Sequence, residues 1–336
     1  MIGRSGYSHD QAAAPAAARA KPLALVLVFI TEAHRELVSR SLDILYAPNA
    51  GLGADRSSGA AQIAAHGRDI RVVLTNGMNG LTPAEIDAMP NLEIICTLGA
   101  GYENVAVDHA RRRGIEVCNA ANTNDDCVAD HAMAILLAAI RGIPLLNAQC
   151  RQGVWRDDIP RPAHVSGRRL GILGLGSIGR KIAKRGLGFD MEIGYCTRRR
   201  RDDVDFRHFD TAHSLAEWCD YLIVAVPGGA ATRHMVDARI LDALGPNGVL
   251  VNVARGSVVD TEALATALRE RRIYNAALDV YESEPRPPES LLEFPGVVLT
   301  PHIGGISPEA IQASVQRFID NVSRHFSGQP TISPVP

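Results

Sequence analysis

Residues 171–180 read GILGLGSIGR, and this stretch decides how the rest of the chain is read. Leu170, Ile172 and Leu173 form an apolar run suited to a buried strand. The run ends in Gly174, Gly176 and Gly179, and good helix formers begin at Ser177. Strand, tight glycine turn and helix start are the context that separates a dinucleotide-binding loop from a merely glycine-rich turn. The three glycines have separate tasks: a tight turn, close backbone approach to a pyrophosphate, and close helix–strand packing. Unpaired N–H groups and the macrodipole at a helix N-terminus favour the anion. Gly174, Leu175, Gly176, Ser177, Ile178 and Gly179 are therefore expected to line the phosphates of a bound dinucleotide.

Working outward, short apolar runs alternate with helical patterns on both sides of this loop. Before it they occupy 23–30, 42–46, 70–74, 92–97 and 115–118. After it they occupy 191–196, 221–226, 248–254, 275–280 and 297–300. Such alternation predicts an α/β fold of two Rossmann-like domains, each a parallel sheet with helices on both faces. A final helical pattern over 308–326 is expected to cross back onto the first domain. The expected organisation is a disordered tail over 1–21, a discontinuous substrate domain over 22–118 plus 303–336, and a dinucleotide domain over 119–302. A cleft between two such domains is where small ligands usually bind.

The 336 residues carry a net charge of −2, with 46% hydrophobic and 21% charged residues. That balance suits a globular protein and offers no electrostatic reason for a nucleic acid or an anionic membrane as partner. No apolar run reaches the length of a membrane span. Six scattered cysteines without CxxC spacing read as reduced thiols of a cytoplasmic protein. No histidine pair has metal-ligand spacing, so no metal is expected. The segment 124–141, NDDCVADHAMAILLAAIR, opens with an N-cap candidate and two acids, and its apolar residues cover nearly the whole circumference. Such a helix must be buried on every side, either as a long helix between domains or at a two-fold interface; a homodimer is expected, with His131 as a satisfied interface residue.

Three ionisable residues follow apolar runs of the second series: Arg255 in VNVARGSVVD, Glu284 in LDVYESEP and His302 in LTPHIGG. Loops at the carboxyl ends of strands line the ligand crevice of an open α/β sheet. Arginine offers a planar, permanently charged fork for carboxylate and carbonyl oxygens. Histidine titrates near neutral pH and can give and take a proton, and a neighbouring carboxylate fixes its ring and keeps it protonated. From the residues alone, Asp279, Glu282 and Glu284 all remain possible partners of His302. Gly99, Ala100 and Gly101 have little side chain to block their N–H groups and can form an anion-binding concavity.

The order GLGSIG, NVARG, DVYESEP, TPHIGG, preceded by CTLGAGYENV over 96–105, resembles the D-isomer-specific 2-hydroxyacid dehydrogenases over most of the chain. The resemblance implies that Arg255 binds substrate, His302 exchanges the proton and Glu284, directly before Pro285, is the partner of His302. It implies coenzyme contacts at Val226, Pro227, Thr232, Ala254 and Asp279, the last near the nicotinamide carboxamide. It places the substrate at Asn76, Gly77, Leu98, Gly99, Ala100 and Gly101, with Arg255 and His302.

An acid roughly 20 residues beyond the first glycines usually binds the ribose 2′-hydroxyl of NAD. Here the corresponding strand end reads Cys196, Thr197, Arg198, Arg199, Arg200, Arg201. A carboxylate would repel a 2′-phosphate, whereas Thr197, Arg198 and Arg199 would bind it, so NADP(H) is expected in preference to NAD(H). Asp202 and Asp203 could neutralise part of that charge, and a solvated arginine run is the plainer alternative. Within the family the sequence looks nearest to glyoxylate, hydroxypyruvate and hydroxyphenylpyruvate reductases. Small polar 2-oxo acids are the first expectation, aryl pyruvates and 2-ketogluconate the next. Glu284 argues against formate as substrate, and the few residues after Phe326 against a regulatory extension. A dinucleotide-sensing corepressor or scaffold of the same fold is the rival of a different class.

Overall fold

Runs of aliphatic residues, buried on both faces, pair side by side into two wholly parallel sheets. The structure is a computed structural model and describes residues 20–49, 56–159 and 161–336. The tail expected over 1–21 lies almost wholly outside the described residues. The first sheet contains β1 (Leu23–Val26), β2 (Asp43–Tyr46), β3 (Ile70–Thr75), β4 (Ile94–Thr97) and β5 (Glu116–Cys118), in the order β2-β1-β3-β4-β5. The second contains β6 (Arg169–Leu173), β7 (Glu192–Cys196), β8 (Arg207–Phe209), β9 (Tyr221–Val224), β10 (Val249–Asn252), β11 (Asn275–Leu278) and β12 (Val298–Leu299). Its order is β12-β11-β10-β9-β6-β7-β8, so the direction of winding reverses between β6 and β9. That reversal is the switch point at which such sheets bind ligands.

Strands β1, β9, β10, β11 and β12 end earlier than the apolar runs that announced them, and the residues beyond their ends belong to the loops. The ends share one level. Leu173 pairs with Cys196 and Val224, Asn252 with Val224 and Leu278, and Leu278 with Leu299. Every loop that follows these residues therefore leaves from one edge of the sheet. Strand β8 is absent from the sequence reading. Three partly exposed residues at a sheet edge carry too little alternation to announce a strand.

The helix Asp125–Arg141 is covered largely within the chain, the first of the two arrangements its apolar circumference allowed. Val128, Ala132, Met133, Ile135, Leu136, Ala139 and Ile140 join a core cluster with residues of β6, β7, β9 and β10. The helix Ser177–Leu187 packs alongside, and its Lys181 and Arg185 reach Asp126 and Asp130. One chain thus covers most of the apolar circumference, and that circumference does not itself require a second copy. Asn124 takes the N-cap position but makes no side-chain cap bond. Exposed apolar groups lie further on: Ile143 and Leu145 on the helix Ile143–Arg151, and Trp155 beyond it.

The helix Pro308–Phe326 starts at Ser307, whose hydroxyl accepts from the Ala310 N–H at 3.1 Å. It packs Val315, Phe318 and Val322 against Ala24, Val26, Val72, Leu74 and Ile94 of the first sheet. The last residues follow, with the Val335 N–H donating to the Val117 carbonyl at 2.8 Å. The chain therefore passes to the second sheet after β5 and returns after β12. Among the described residues, no single helix is long and apolar enough to cross a membrane.

Candidate active site

Gly174 has φ 101°, a conformation that favours glycine, and a Cβ on Gly179 would overlap the Gly174 carbonyl oxygen. A Cβ on Gly176 would meet no atom within 4 Å, so space is open above the first turn of the helix Ser177–Leu187. The first-turn N–H groups have no acceptor within the helix. An open cradle with such donors fits a pyrophosphate. Leu175 is buried and Ile178 packs on the core beneath. The Ser177 hydroxyl donates to the buried Asp125 carboxylate. Val226, after β9, borders the turn, its Cγ1 lying 2.9 Å from where a Gly174 Cβ would be. Thr232 donates to the Pro227 carbonyl at 2.8 Å and closes the next loop.

Beside this loop, at the end of β7, burial and the charge of Asp210 push the Cys196 thiol up. Thr197 donates to the Arg199 carbonyl at 2.6 Å, and Arg198, Arg199 and Arg200 are exposed. Asp203 turns to Arg180, at 2.9 Å. Among the described residues, no ion pair engages Arg198, Arg199, Arg200 or Arg201.

Arg255, Glu284 and His302 follow β10, β11 and β12, three neighbouring strands. The buried Asn252 side chain accepts from the Ala254 N–H at 3.0 Å and donates to the Arg255 carbonyl at 3.1 Å, which fixes the arginine turn. Gly256 packs so closely on Tyr281 that any Cβ would overlap the Tyr281 carbonyl. The Arg255 turn is thereby seated on the loop that carries Glu284. In that loop the Tyr281 N–H donates to Glu284 Oε1 at 2.9 Å, and Glu284 Oε2 lies 2.9 Å from His302 Nδ1. Geometry thus selects Glu284 from the three acids: Glu282 bonds His234 at 2.8 Å, and Asp279 is engaged elsewhere. Burial pushes the Glu284 carboxyl up, but the hydrogen bonds from His302 and Tyr281, with the charge of Arg255, outweigh it and hold it below its usual range. A carboxylate only accepts, so His302 Nδ1 carries the hydrogen and Nε2 is left to exchange a proton.

Asp279 holds the histidine loop. Its carboxylate accepts from Thr300 Oγ1 at 2.7 Å and from the Ile303 and Gly304 N–H groups at 2.9 and 2.8 Å. His131 Nε2 lies 2.9 Å from Thr300 Oγ1, so His131 serves this network inside the chain. His302 between them has φ 52°. Burial pushes the Asp279 carboxyl up, yet the hydrogen bonds of His131, Thr300, Ile303 and Gly304 prevail and bring it to about 2.

On the first sheet, Asn76 and Gly77 follow β3 and residues 98–101 follow β4. The Asn76 carbonyl side chain accepts from the Met78 and Asn79 N–H groups at 3.1 and 2.7 Å, so it shapes its own turn. The Leu98 N–H bonds Thr75, the Gly99 carbonyl bonds Ala120, and the Ala100 carbonyl accepts from Asn119. A Cβ on Gly101 would lie 2.8 Å from Arg255 Nη2, which brings the arginine of one sheet to the glycine loop of the other. Sequence reasoning missed Asn252 and Tyr281, and it missed Glu103, whose Oε1 accepts from Arg255 Nε at 2.6 Å. Glu103 stood inside CTLGAGYENV, two residues past Gly101, but its partner comes from the other half of the chain.

Residues 133–304 match the family model described as D-isomer specific 2-hydroxyacid dehydrogenase, NAD binding domain. The hydroxyphenylpyruvate reductase of Plectranthus scutellarioides is 36% identical over 274 residues, 81% of this chain and 88% of that protein. The 2-ketogluconate reductase of Gluconobacter oxydans is 39% identical over 267 residues, 79% of this chain and 86% of the relative. The NADPH-dependent glyoxylate/hydroxypyruvate reductase of Sinorhizobium meliloti, solved with NADP and malonate, superposes with a TM-score of 0.83 at 37% identity. That superposition covers 94% of this chain and 97% of that one.

The Asp279 network carries a pH signature. Its carboxyl is lowered from 3.8 to about 2, so its stabilisation is complete above about pH 3.8 and is lost as pH falls through about 2. Asp279→Asn should cost about 2 kcal/mol at neutral pH. In denaturant melts, the gap from wild type should close toward pH 2. Equal stability of the two proteins at pH 7 would contradict the assignment.

Proposed function

This chain belongs to the D-isomer-specific 2-hydroxyacid dehydrogenases, and from that premise we propose that it reduces a small 2-oxo acid with NADPH to the D-2-hydroxy acid. Glyoxylate and hydroxypyruvate are the first substrates. The observation that carries the reading is the His302–Glu284 pair at 2.9 Å, on loops of adjacent strands beside Arg255.

When bound, the nicotinamide supplies a hydride. The chain's own residues do the rest. Arg255 and the N–H groups of 99–101 hold the substrate carboxylate, and the arginine fork also reaches the carbonyl oxygen. His302 Nε2 gives its proton to that oxygen as the carbonyl carbon gains the hydride, and the Glu284 carboxylate stabilises and orients the imidazolium. Val226, Pro227, Thr232 and Ala254 follow the sheet edge from the glycine loop toward this group. Asp279, whose oxygens hold the His302 loop, would act on the carboxamide end of the coenzyme through that loop. Preference for NADPH is supported by Cys196 in place of an acid, by the unpaired arginines after it, and by the printed name of the Sinorhizobium relative. Aryl pyruvates and 2-ketogluconate stand as second substrates, since relatives with those activities in their names are 36% and 39% identical. A homodimer is part of the reading, supported by exposed Ile143, Leu145 and Trp155 in consecutive segments. So is a reducing, cytoplasmic setting, supported by six free thiols.

NADPH oxidation should be seen with glyoxylate or hydroxypyruvate in a steady-state panel of 2-oxo acids. His302→Ala should lower kcat by about 10²–10⁴ and leave NADPH affinity nearly unchanged. Turnover equal to wild type would remove His302 as the proton donor. Replacing Arg198 and Arg199 together by Ala should lower kcat/KM for NADPH about tenfold or more and barely alter the value for NADH. Parallel losses with both coenzymes would count against 2′-phosphate binding. Sedimentation at micromolar concentration should give twice the 36.0 kDa chain mass, and a monomer would remove the dimer.

A further inference from the structure

We propose that Glu103 is an internal competitor for the substrate's carboxylate, one that occupies the Arg255 guanidinium and must release it before a 2-oxo acid can bind. This rests on the role of Arg255 in the function proposed above.

Three observations meet at one place. Glu103 Oε1 accepts from Arg255 Nε at 2.6 Å. Its other oxygen lies 2.9 Å from where a Cβ of Gly77 would stand and 2.8 Å from where a Cβ of Gly101 would stand. Arg255 Nη2 is 2.8 Å from that same Gly101 position. The Glu103 carboxylate therefore sits among the two glycine backbones and the guanidinium, the surroundings that a substrate carboxylate needs. Two carboxylates cannot share this spot, because like charges in contact repel and the arginine fork matches one planar partner at a time.

Release of Glu103 needs little rearrangement. Its side chain is 45% exposed, and among the described residues Arg255 is the one hydrogen-bond partner of its carboxylate. Rotation into water leaves no buried polar group behind. Arg255 keeps its second tie, from Nη1 to the Ala254 carbonyl at 2.7 Å, and stays in position for the incoming acid. The exchange also replaces a bond between the two sheets' loops by a bond to substrate. Competition of this kind weakens every carboxylate substrate in the ground state and does not touch the chemical step.

Glu103→Gln keeps the shape and removes the charge. With enzyme saturated in NADPH, KM for glyoxylate should fall about fivefold while kcat stays within about twofold, the change that a half-exposed ion pair is worth. Calorimetric titration of the enzyme–NADP⁺ complex with oxamate, an inert 2-oxo acid analogue, should show the same fold gain in affinity. An unchanged or raised KM, or oxamate binding that does not tighten, would overturn the proposal and make Glu103 a support for Arg255. Wild-type enzyme that neither reduces glyoxylate nor binds oxamate would overturn it by another route, through the function on which it rests.

Discussion

The carboxylate of Asp279 is the point on which the site depends. It is 3% exposed and gathers two backbone N–H groups and a threonine hydroxyl, with an imidazole behind them. A buried charge is tolerated only with such a full set of donors. Those donors are not spread through the core; they are the residues flanking His302. Satisfying Asp279 therefore sets the backbone of the His302 loop, including the left-handed turn at the histidine. The same network reaches His131 on the helix Asp125–Arg141, and so ties the loop to the helix that follows the first sheet. One electrostatic requirement thus positions a side chain and the segment where the chain crosses between its sheets.

Around that point the parallel sheet acts as a ruler. Its strands end at one level, so the loops after β7, β6, β9, β10, β11 and β12 stand in a row. Read along the row, they carry the arginine cluster, the glycine turn, Val226, Arg255, Glu284 and His302. Parallel pairing brings residues from distant stretches of chain to neighbouring positions without any contact between their side chains being needed first. The close packing of Gly256 on Tyr281 then reduces the remaining freedom between the arginine and the acid. Tyr281 helps from below, donating to the Thr300 carbonyl at 2.6 Å, while burial and the Asp279 charge push its phenol up and keep it a donor.

The charges in the cleft are arranged in competition as well as in support. Arg255 lowers the Glu284 carboxyl from a distance and bonds Glu103 directly. Among the described residues the arginines after β7 have no such ion pair, and Asp203 bonds Arg180. A guanidinium already engaged and a set of guanidinium groups left free are different preparations for an anion.

Local patterns carried much of this in the sequence. The glycine loop was legible because a strand, a turn and a helix start must each obey its own backbone rule within a few residues. The strand positions followed from apolar runs, and Arg255, Glu284 and His302 from loops beside them. What could not be read were relations between segments: which of three acids reaches His302, that Asp279 faces its own loop, that Asp203 bonds Arg180, that Glu103 meets Arg255. Strand β8 and the covering of the helix Asp125–Arg141 were hidden for the same reason. The sequence by itself determined the elements, since periodicity and glycine or proline conformations act over short range. Only the tertiary structure decided the pairings, because a hydrogen bond between carboxylate and donor depends on ångström-scale placement set by how whole strands and helices pack.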